Sequence, residues 1–274
     1  MPILPANIPI GPLTVTGFGI AVVLAFVIAQ IIAHHVLKER GYDPSPVSDL
    51  LFAAVVGGLL GAKLYFMILM HSWQAMFSRS GFVFWGGLIG GIIAVVATIK
   101  IKKLSIMRIA DPAGIGVAAA YAIGRSGCWA VGDDYGRPTS GIFGVSFPEG
   151  APKSTAGNMQ SLFGVPIPPG ANAETMLAVY PTQLLEIALG VLMFAILWRM
   201  RHHKHAEGWL FGVYMVLAGV ERFLVEFLRA KDDRFFGPLT TAQVLALLFV
   251  VAGVVWMRAR TQPSVLSRAS LAPT

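Results

Sequence analysis

Two arginines, Arg125 and Arg222, lie within stretches of the chain that are otherwise mostly apolar. An ionisable side chain inside a membrane-spanning helix costs on the order of 2.5–3.5 kcal/mol to insert, so it usually faces a partner or an aqueous cavity. The planar guanidinium group binds phosphate oxygens through two parallel hydrogen bonds and keeps its charge when partly desolvated. Both arginines are expected near the outer ends of their helices. Together they predict a site that binds the phosphate of a lipid headgroup.

Other charged side chains occupy the same apolar stretches. They are Lys63, Asp111, Glu186, Glu221 and Glu226. Glu226 follows Arg222 by four positions, which places the two side chains on one face of a helix and favours an ion pair. For any single acid, an ion pair that only locks the helices together is an equally good interpretation. Glu186, Gln183 and Gln243 are predicted to be polar groups that support the site.

The stretch from Gly124 to Pro138 is dense in polar residues and glycines. It leaves an apolar segment through Arg125 and ends in the paired acids Asp133 and Asp134, with Tyr135 beside them. This pattern suits a site at the membrane surface that holds a headgroup and a proton acceptor, for which Asp133 is the candidate. The alternative interpretation is a loop that only caps the helix.

Glycines also cluster after Trp85, at Gly86, Gly87, Gly90 and Gly91. Small residues let another helix, or a lipid, approach the backbone closely. Gly86 and Gly87 are therefore predicted to form a lipid-facing wall, although helix packing alone explains most such glycines. By itself, Trp85 is typical of the aromatic belt at a membrane interface.

The composition indicates the elements that must position these residues. Apolar residues make up 55% of the 274 residues and charged residues only 13%, against roughly 25% charged in a soluble domain. A spanning helix needs about 20 mostly apolar residues. Seven segments qualify, at residues 14–35, 49–70, 81–100, 108–130, 180–199, 208–228 and 240–258.

We therefore predict an all-α integral membrane protein, a bundle of about seven transmembrane helices forming one polytopic domain over residues 1–260. The Pro- and Gly-containing connection at about 131–179 predicts a small irregular extracytoplasmic head. The polar residues 261–274 are expected to form a disordered cytoplasmic tail.

The lysines and arginines predict the orientation, because short loops rich in them stay cytoplasmic. With the N-terminus outside, twelve of the 21 fall on the cytoplasmic side and six outside, so an outer N-terminus and a cytoplasmic C-terminus are favoured. The net charge of +7 is spread over short clusters between apolar runs, which favours anionic lipid over nucleic acid as a partner.

The single cysteine, Cys128, excludes an intramolecular disulfide. His202, His203 and His205 resemble a metal-binding tract, but the adjacent Arg201 and Lys204 favour a solvated basic loop. We expect no metal site.

Four blocks resemble, in order and spacing, the prolipoprotein diacylglyceryl transferases of the bacterial inner membrane. They are FWGGLIG at 84–90, GRSGCWAVGD at 124–133, YPTQLLE at 180–186 and ERFLVEFLR at 221–229. The resemblance implies transfer of the diacylglyceryl group of phosphatidylglycerol to the lipobox cysteine of a prolipoprotein signal peptide. Glycerol phosphate is released, and no cofactor is required.

The resemblance also implies roles for individual residues. Arg125 and Arg222 match arginines that bind the phosphate, Asp133 matches an acid, and Glu226 is expected to pair with an arginine. The lipid-binding set further includes Trp85, Gly86, Gly87 and Gln183, with Glu186, Tyr135 and Gln243 behind it. The active site is expected toward the outer face.

The chain departs from the family pattern at three positions. Trp85 stands where a histidine often precedes the glycine block, Cys128 replaces an amide residue, and Tyr180 stands where a histidine is frequent. Tryptophan cannot act as a base. Two alternatives therefore stay open: a family member with a different acceptor, and a non-catalytic lipid-binding or lipid-transport protein.

Overall fold

A computed structural model of the chain describes residues 2–3, 5–10, 13–78, 81–230, 234–236 and 238–261. The α-helices in these ranges are α1 Gly17–Glu39, α2 Pro46–Leu69, α3 Phe84–Ile101, α4 Ile106–Val131, α5 Ala156–Phe163, α6 Thr182–Met200, α7 Trp209–Glu226 and α8 Thr241–Ala259. Two antiparallel hairpins join β1 Asn7–Ile10 to β2 Leu13–Thr16, and β3 Arg234–Phe236 to β4 Leu239–Thr240. A short 3-10 helix covers Trp73–Phe77.

Each of the seven predicted segments overlaps one long helix, and the prediction of an all-α membrane protein is confirmed. In the described part of the chain, six helices are long and apolar enough to cross a membrane. The seventh, α7, has 18 residues and carries Glu221, Arg222 and Glu226. All three charges lie within its last six residues.

The helix boundaries differ from the predicted ones where local chemistry overrides hydropathy. The first segment was expected to begin at residue 14, but Leu13–Thr16 form a strand, as suits the β-branched residues there. The second helix begins earlier than expected, with Pro46 in its first turn. Proline fits there because its missing N–H has no partner within the helix in any case.

The described chain divides into two compact units: residues 1–29 with 114–274, and residues 30–113. Each is described by itself, and the single domain over 1–260 stays a prediction. The expected disordered tail lies outside the described residues, apart from Thr261.

In the unit formed by residues 30–113, α2 and α3 pack through glycines. A methyl group on Gly86 would collide with the carbonyl oxygen of Gly61, and one on Gly90 with that of Gly57. The two backbones are therefore in direct contact, as small residues at a helix interface allow. Gly86 is buried in this contact, so the structure gives it a packing role beside the predicted lipid-binding one.

In the same unit, two of the charged residues found in apolar segments have interaction partners. Asp111 is fully buried, and one of its carboxylate oxygens lies 2.9 Å from Nη1 of Arg40. Lys63 donates a 2.6 Å hydrogen bond to the carbonyl oxygen of Ser78 and lies 4.5 Å from the ring centre of Phe82. Both residues have local partners that account for their positions.

In the other unit, the predicted head at 131–179 is mostly irregular and contains only the short helix α5. A small apolar cluster of Tyr135, Phe147, Met159, Val179 and Ala230 stabilises it. Tyr135 stacks on Phe147 with ring centres 5.3 Å apart, and its hydroxyl donates a 2.9 Å hydrogen bond to the carbonyl of Pro152. This core anchors the loop that follows α4.

Candidate active site

The loop that follows α4 changes direction at two residues with positive φ, Gly132 (68°) and Asp134 (55°). Side chains at the start of α6 hold this loop. Thr182 Oγ1 donates a 2.8 Å hydrogen bond to the carbonyl oxygen of Asp134, and Gln183 Nε2 donates one of 2.6 Å to that of Asp133. Gln183 is fully buried, and its hydrogen bond supports the backbone of the paired acids.

The next residues tie the loop to the end of α7. The backbone N–H of Gly136 donates to the carbonyl of Tyr180, and a Cβ at Gly136 would press on the carbonyl of Leu228. Arg137 Nε donates a 2.8 Å hydrogen bond to the carbonyl oxygen of Arg229. The acids of the loop and the arginine after α7 are therefore held in a fixed relation.

Asp134 joins two arginines. Its Oδ2 atom lies 2.8 Å from Nη1 of Arg125, and its Oδ1 atom lies 2.8 Å from Nη2 of Arg229. Oε1 of Glu186, whose side chain is fully buried, lies 3.0 Å from Nη2 of Arg125 and 3.7 Å from Nη1 of Arg229. Two guanidinium groups thus share two carboxylates contributed by the α4 loop and α6.

Glu226 extends this network to Arg222. Its Oε2 atom lies 2.6 Å from Nη2 of Arg222 and 3.9 Å from Nε of Arg229, and its Oε1 accepts a 3.2 Å hydrogen bond from Thr240 Oγ1. The ion pair expected between Arg222 and Glu226 is therefore present. Thr240 and Gln243 form a reciprocal capping box at the start of α8, so Gln243 supports the partner of Glu226.

Tyr121 links a further acid to the network. Its hydroxyl lies 2.8 Å from Oε1 of Glu221 and 3.3 Å from Oε1 of Glu186, and the Cζ atom of Arg125 lies 5.4 Å from its ring centre. The hydroxyl has one proton, so it donates to one carboxylate at a time. Side chains from α4, α6 and α7 therefore meet at this phenol.

The paired acids of the loop differ in basicity. Burial alone would raise the pKa of Asp134, but Arg229 and Arg125 outweigh it and lower that pKa to about 2. For Asp133, burial and the neighbouring charge of Asp134 raise the pKa, although the thiol of Cys128 hydrogen-bonds to this carboxyl. Oδ1 of Asp133 has no hydrogen-bond partner among the described residues. Asp133 is the better base of the two.

Solvent reaches the network at its two ends. The side chains of Asp134 and Arg222 are 42% and 33% exposed, whereas those of Arg125 and Arg229 are 16% and 13% exposed. The exposed end at Asp134 is anionic and the one at Arg222 is cationic. A ligand that carries an anionic group therefore finds Arg222 as the most open guanidinium of the network.

Cys128 also lies at this site. Its Sγ atom is 3.4 Å from Nη1 of Arg125, and single ligand atoms of Cys128, Asp133 and Asp134 lie within 4.8 Å of one another. Such a group has the residue types of a metal site. However, the guanidinium of Arg125 already neutralises Asp134 and contacts the sulfur, so a cation there would meet a positive charge.

The structure brings most of the predicted site residues together in the unit formed by residues 1–29 and 114–274. Arg125, Arg222, Glu186 and Glu226 belong to the ion-pair network, with the backbone of Asp133 supported by Gln183. Tyr135 packs in the apolar core of the head. Trp85, which is 50% exposed, Gly86 and Gly87 belong to the other compact unit, and their lipid-binding role stays a prediction.

Two members of the ion-pair network were not among the predicted site residues, Arg229 and the side chain of Asp134. Neither were Tyr121 and Glu221, which are linked to it. Arg229 lies one residue beyond the predicted segment 208–228, although it ends the fourth block and follows Glu226 by three positions. That spacing on a helical turn was the available signal. Nothing in the sequence distinguished Asp134 from Asp133 as the partner of the arginines.

Comparison with known proteins relates this chain to a family. Residues 5–259 match the family described as prolipoprotein diacylglyceryl transferase. A relative from Clostridium tetani, named phosphatidylglycerol–prolipoprotein diacylglyceryl transferase, is 28% identical over 88% of this chain and 92% of its own. Proteins of the same name from Paraburkholderia phymatum and Staphylococcus haemolyticus are 30% and 28% identical, over 92% and 97% of this chain and 91% and 92% of theirs.

Proposed function

Because this chain belongs to the prolipoprotein diacylglyceryl transferase family, we propose that it transfers the diacylglyceryl group of phosphatidylglycerol to the cysteine thiol of a prolipoprotein. The names of its relatives state phosphatidylglycerol and prolipoprotein. The ion-pair network and the adjacent Asp133 supply groups suited to both halves of the reaction. The protein is thus a multi-pass membrane enzyme of the transferase class.

The reaction replaces one bond at the glycerol carbon of the lipid. The acceptor sulfur forms a bond to the carbon that carries the phosphate, and the bond from that carbon to the phosphate oxygen breaks. The electron pair leaves with the oxygen as glycerol phosphate, and the proton of the thiol must be taken up by a base. Stabilisation of the leaving phosphate and removal of this proton are therefore the two tasks of the site.

The arginines perform the first task in this proposal. Arg222 is the most exposed guanidinium of the network, and the less exposed Arg125 and Arg229 are paired with Glu186 and Asp134. Donors that are already oriented stabilise developing charge without reorganisation at the moment of reaction. The gathering of three arginines from α4, α7 and the residues after α7 is the single observation that carries the proposal.

Asp133 performs the second task. Its raised pKa makes it a better proton acceptor than Asp134, and its Oδ1 atom has no hydrogen-bond partner among the described residues. The carboxyl is held through its own backbone by Gln183. A base must lie within hydrogen-bond reach of the proton that it removes, and a fixed backbone favours this.

The orientation belongs to the same proposal. The loop 132–136, the start of α6 and the end of α7 meet at the network, and all three were predicted to lie at the outer face. The positive-inside rule supports an outer N-terminus and a cytoplasmic C-terminus. The bacterial relatives support the inner membrane as the location. A lipobox peptide that emerges outside would then reach the site.

The decisive experiment measures glycerol phosphate release from phosphatidylglycerol in nanodiscs, with and without a lipobox peptide. We expect release that requires the cysteine and that stops when the peptide carries serine instead. Replacement of Arg125 or Arg222 by alanine should abolish transfer, and Arg199→Ala, an exposed arginine near the other end of α6, is the matched control. A fully active Arg125→Ala/Arg222→Ala double variant would refute the assignment.

Trp85 favours one second candidate, a family member with a different acceptor. The side chain is half exposed and cannot accept a proton, and no histidine is among the described partners of Arg125, Glu186 or Glu226. Expression of the chain in a strain depleted of its own transferase distinguishes the two. Rescue of growth excludes the different acceptor as the sole role.

A further inference from the structure

Asp134 is fixed in space more firmly than an exposed loop residue usually is. Its two carboxylate oxygens are each 2.8 Å from a different guanidinium, of Arg125 and of Arg229. Its carbonyl oxygen accepts a hydrogen bond from the hydroxyl of Thr182. Even so, 42% of the side chain is exposed. The carboxylate is therefore both oriented by the protein and open to a ligand.

The carboxylate is also ionised at any physiological pH. Burial works against its charge, but Arg229 and Arg125 outweigh burial and keep the pKa of Asp134 at about 2. An ionised carboxylate offers about four acceptor positions, and the two guanidinium groups account for two of them. Acceptor capacity therefore remains on the exposed side of Asp134.

The other exposed end of the network has the opposite charge. Arg222 is 33% exposed, and it is joined to Asp134 through Glu226 and Arg229, whose contacts measure 2.6, 3.9 and 2.8 Å. One carboxylate and one guanidinium thus separate an exposed cation from an exposed anion. This arrangement is complementary to a group that carries an anion and, a few bonds away, a hydrogen-bond donor.

We propose that Asp134 selects the lipid by accepting a hydrogen bond from the part of the headgroup beyond the phosphate, while the phosphate binds at Arg222. The inference rests on the proposed function and specifies which lipids it uses. The ligand chemistry is a phosphodiester followed by a hydroxyl or an ammonium group. A glycerol headgroup supplies the first and an ethanolamine headgroup the second.

The test compares transfer from phosphatidylglycerol, phosphatidylethanolamine and phosphatidylmethanol, presented in nanodiscs to the full-length protein with a lipobox peptide. The methyl ester of phosphatidylmethanol keeps the phosphodiester charge and has no donor. A hydrogen bond to a charged group predicts that the wild-type protein prefers a donor-bearing lipid over phosphatidylmethanol by about tenfold to a hundredfold in kcat/KM. The preferred donor-bearing lipid shows whether a hydroxyl or an ammonium group donates the hydrogen bond to Asp134.

Asp134→Asn should reduce this preference to within about threefold, because only donor-bearing lipids lose a charge-assisted bond. The preference is a ratio measured on one preparation, so partial loss of folded protein cancels. Glu149→Gln, at an exposed acid of the same head segment, should leave the ratio unchanged. If the variant transfers nothing, equilibrium binding of short-chain forms of the three lipids gives the same ratio.

Three results would overturn the inference. One is a wild-type protein that transfers from phosphatidylmethanol as well as it does from both donor-bearing lipids. Another is an equal loss for all three lipids in Asp134→Asn, which would mean that Asp134 only positions the arginines. The third is a gain for all three, which would mean that it obstructs the phosphate. If the wild-type protein transfers from no lipid, the proposed function is refuted. The ratio of binding affinities for the three short-chain lipids then tests whether Asp134 selects among them.

Discussion

Nη2 of Arg125 lies 3.0 Å from Oε1 of Glu186, and the carboxylate is fully buried. The pair joins α4 to α6, so the guanidinium of Arg125 meets a compensating negative charge from the neighbouring helix. Removing one partner of a buried ion pair strands the other, which costs far more than the pair contributes when intact. Glu186 is therefore expected to matter for stability as well as for the position of Arg125.

The first prediction concerns Glu186. Glu186→Ala should lower the free energy of unfolding by about 3–5 kcal/mol, because it removes a buried carboxylate near Arg125 and Arg229 and leaves Asp134 to compensate both guanidinium groups. Denaturant titration of the protein in detergent measures this change. Glu174→Ala, at an exposed acid of the head, is the control and should have almost no effect. Equal stability of the two variants would show that the buried pair is not required.

Arg229, which lies one residue beyond the predicted segment 208–228, is predicted to act with the other arginines. Loss of one oriented donor to a developing negative charge usually costs about a hundredfold to a thousandfold in kcat. Arg229→Ala should therefore lower transfer by at least a hundredfold while Arg199→Ala does not. Steady-state release of glycerol phosphate is the measurement, and a variant within a few-fold of wild type would exclude Arg229 from the site.

Asp134 makes stability depend on pH in a defined direction. Its folded-state pKa, about 2, lies below the ordinary value of 3.8, so its stabilising contribution is complete above the ordinary value. It is lost as the pH falls toward the folded-state pKa. The difference in unfolding free energy between wild type and Asp134→Asn should thus be constant near neutrality and shrink on acidification from about pH 5. A difference that grows on acidification would contradict the geometry.

The Tyr121–Glu221 hydrogen bond predicts non-additive effects. Tyr121→Phe leaves a carboxyl that is 7% exposed without its 2.8 Å donor, and a buried polar group without a partner costs about 1–3 kcal/mol. Glu221→Leu removes that group, so the double variant should be more stable than the sum of the two single changes implies. A double-mutant cycle on unfolding free energy measures the coupling, and strict additivity would mean that the bond contributes nothing.

Neighbouring glycines of α3 should respond differently to the same substitution. A Cβ at Gly86 collides with the backbone of α2, so Gly86→Ala should cost about 1–3 kcal/mol through overpacking. At Gly87 the nearest atom is 3.4 Å away, so Gly87→Ala should cost under about 0.5 kcal/mol. Unfolding in detergent compares them. If Gly87→Ala alone stops lipid transfer, the predicted lipid-binding role of that residue is supported.

The sequence predicted what depends on local patterns. Apolar runs of about 20 residues located all seven long helices, and the spacing of Arg222 and Glu226 predicted their ion pair. The hydropathy of residues 14–16 could not distinguish a strand from a helix, because both bury apolar residues.

Contacts between distant parts of the chain were beyond such patterns. Asp133 and Asp134 are adjacent and chemically alike, and only the turn at Asp134 decides which of them reaches Arg125 and Arg229. That turn depends on Thr182 and Gln183, about fifty positions later. The partner of Glu221 was likewise not predictable, since Tyr121 lies 100 positions away.

The network has a consequence for how a lipid is attracted to it. Three guanidinium groups face three ion-paired carboxylates, those of Asp134, Glu186 and Glu226, so these members carry no net charge between them. A basic surface patch draws anionic lipid from a distance, and dissolved salt weakens that attraction. At a network without net charge we instead expect binding by exchange, in which the phosphate replaces or joins a carboxylate at short range. Lipid affinity should therefore change little with ionic strength.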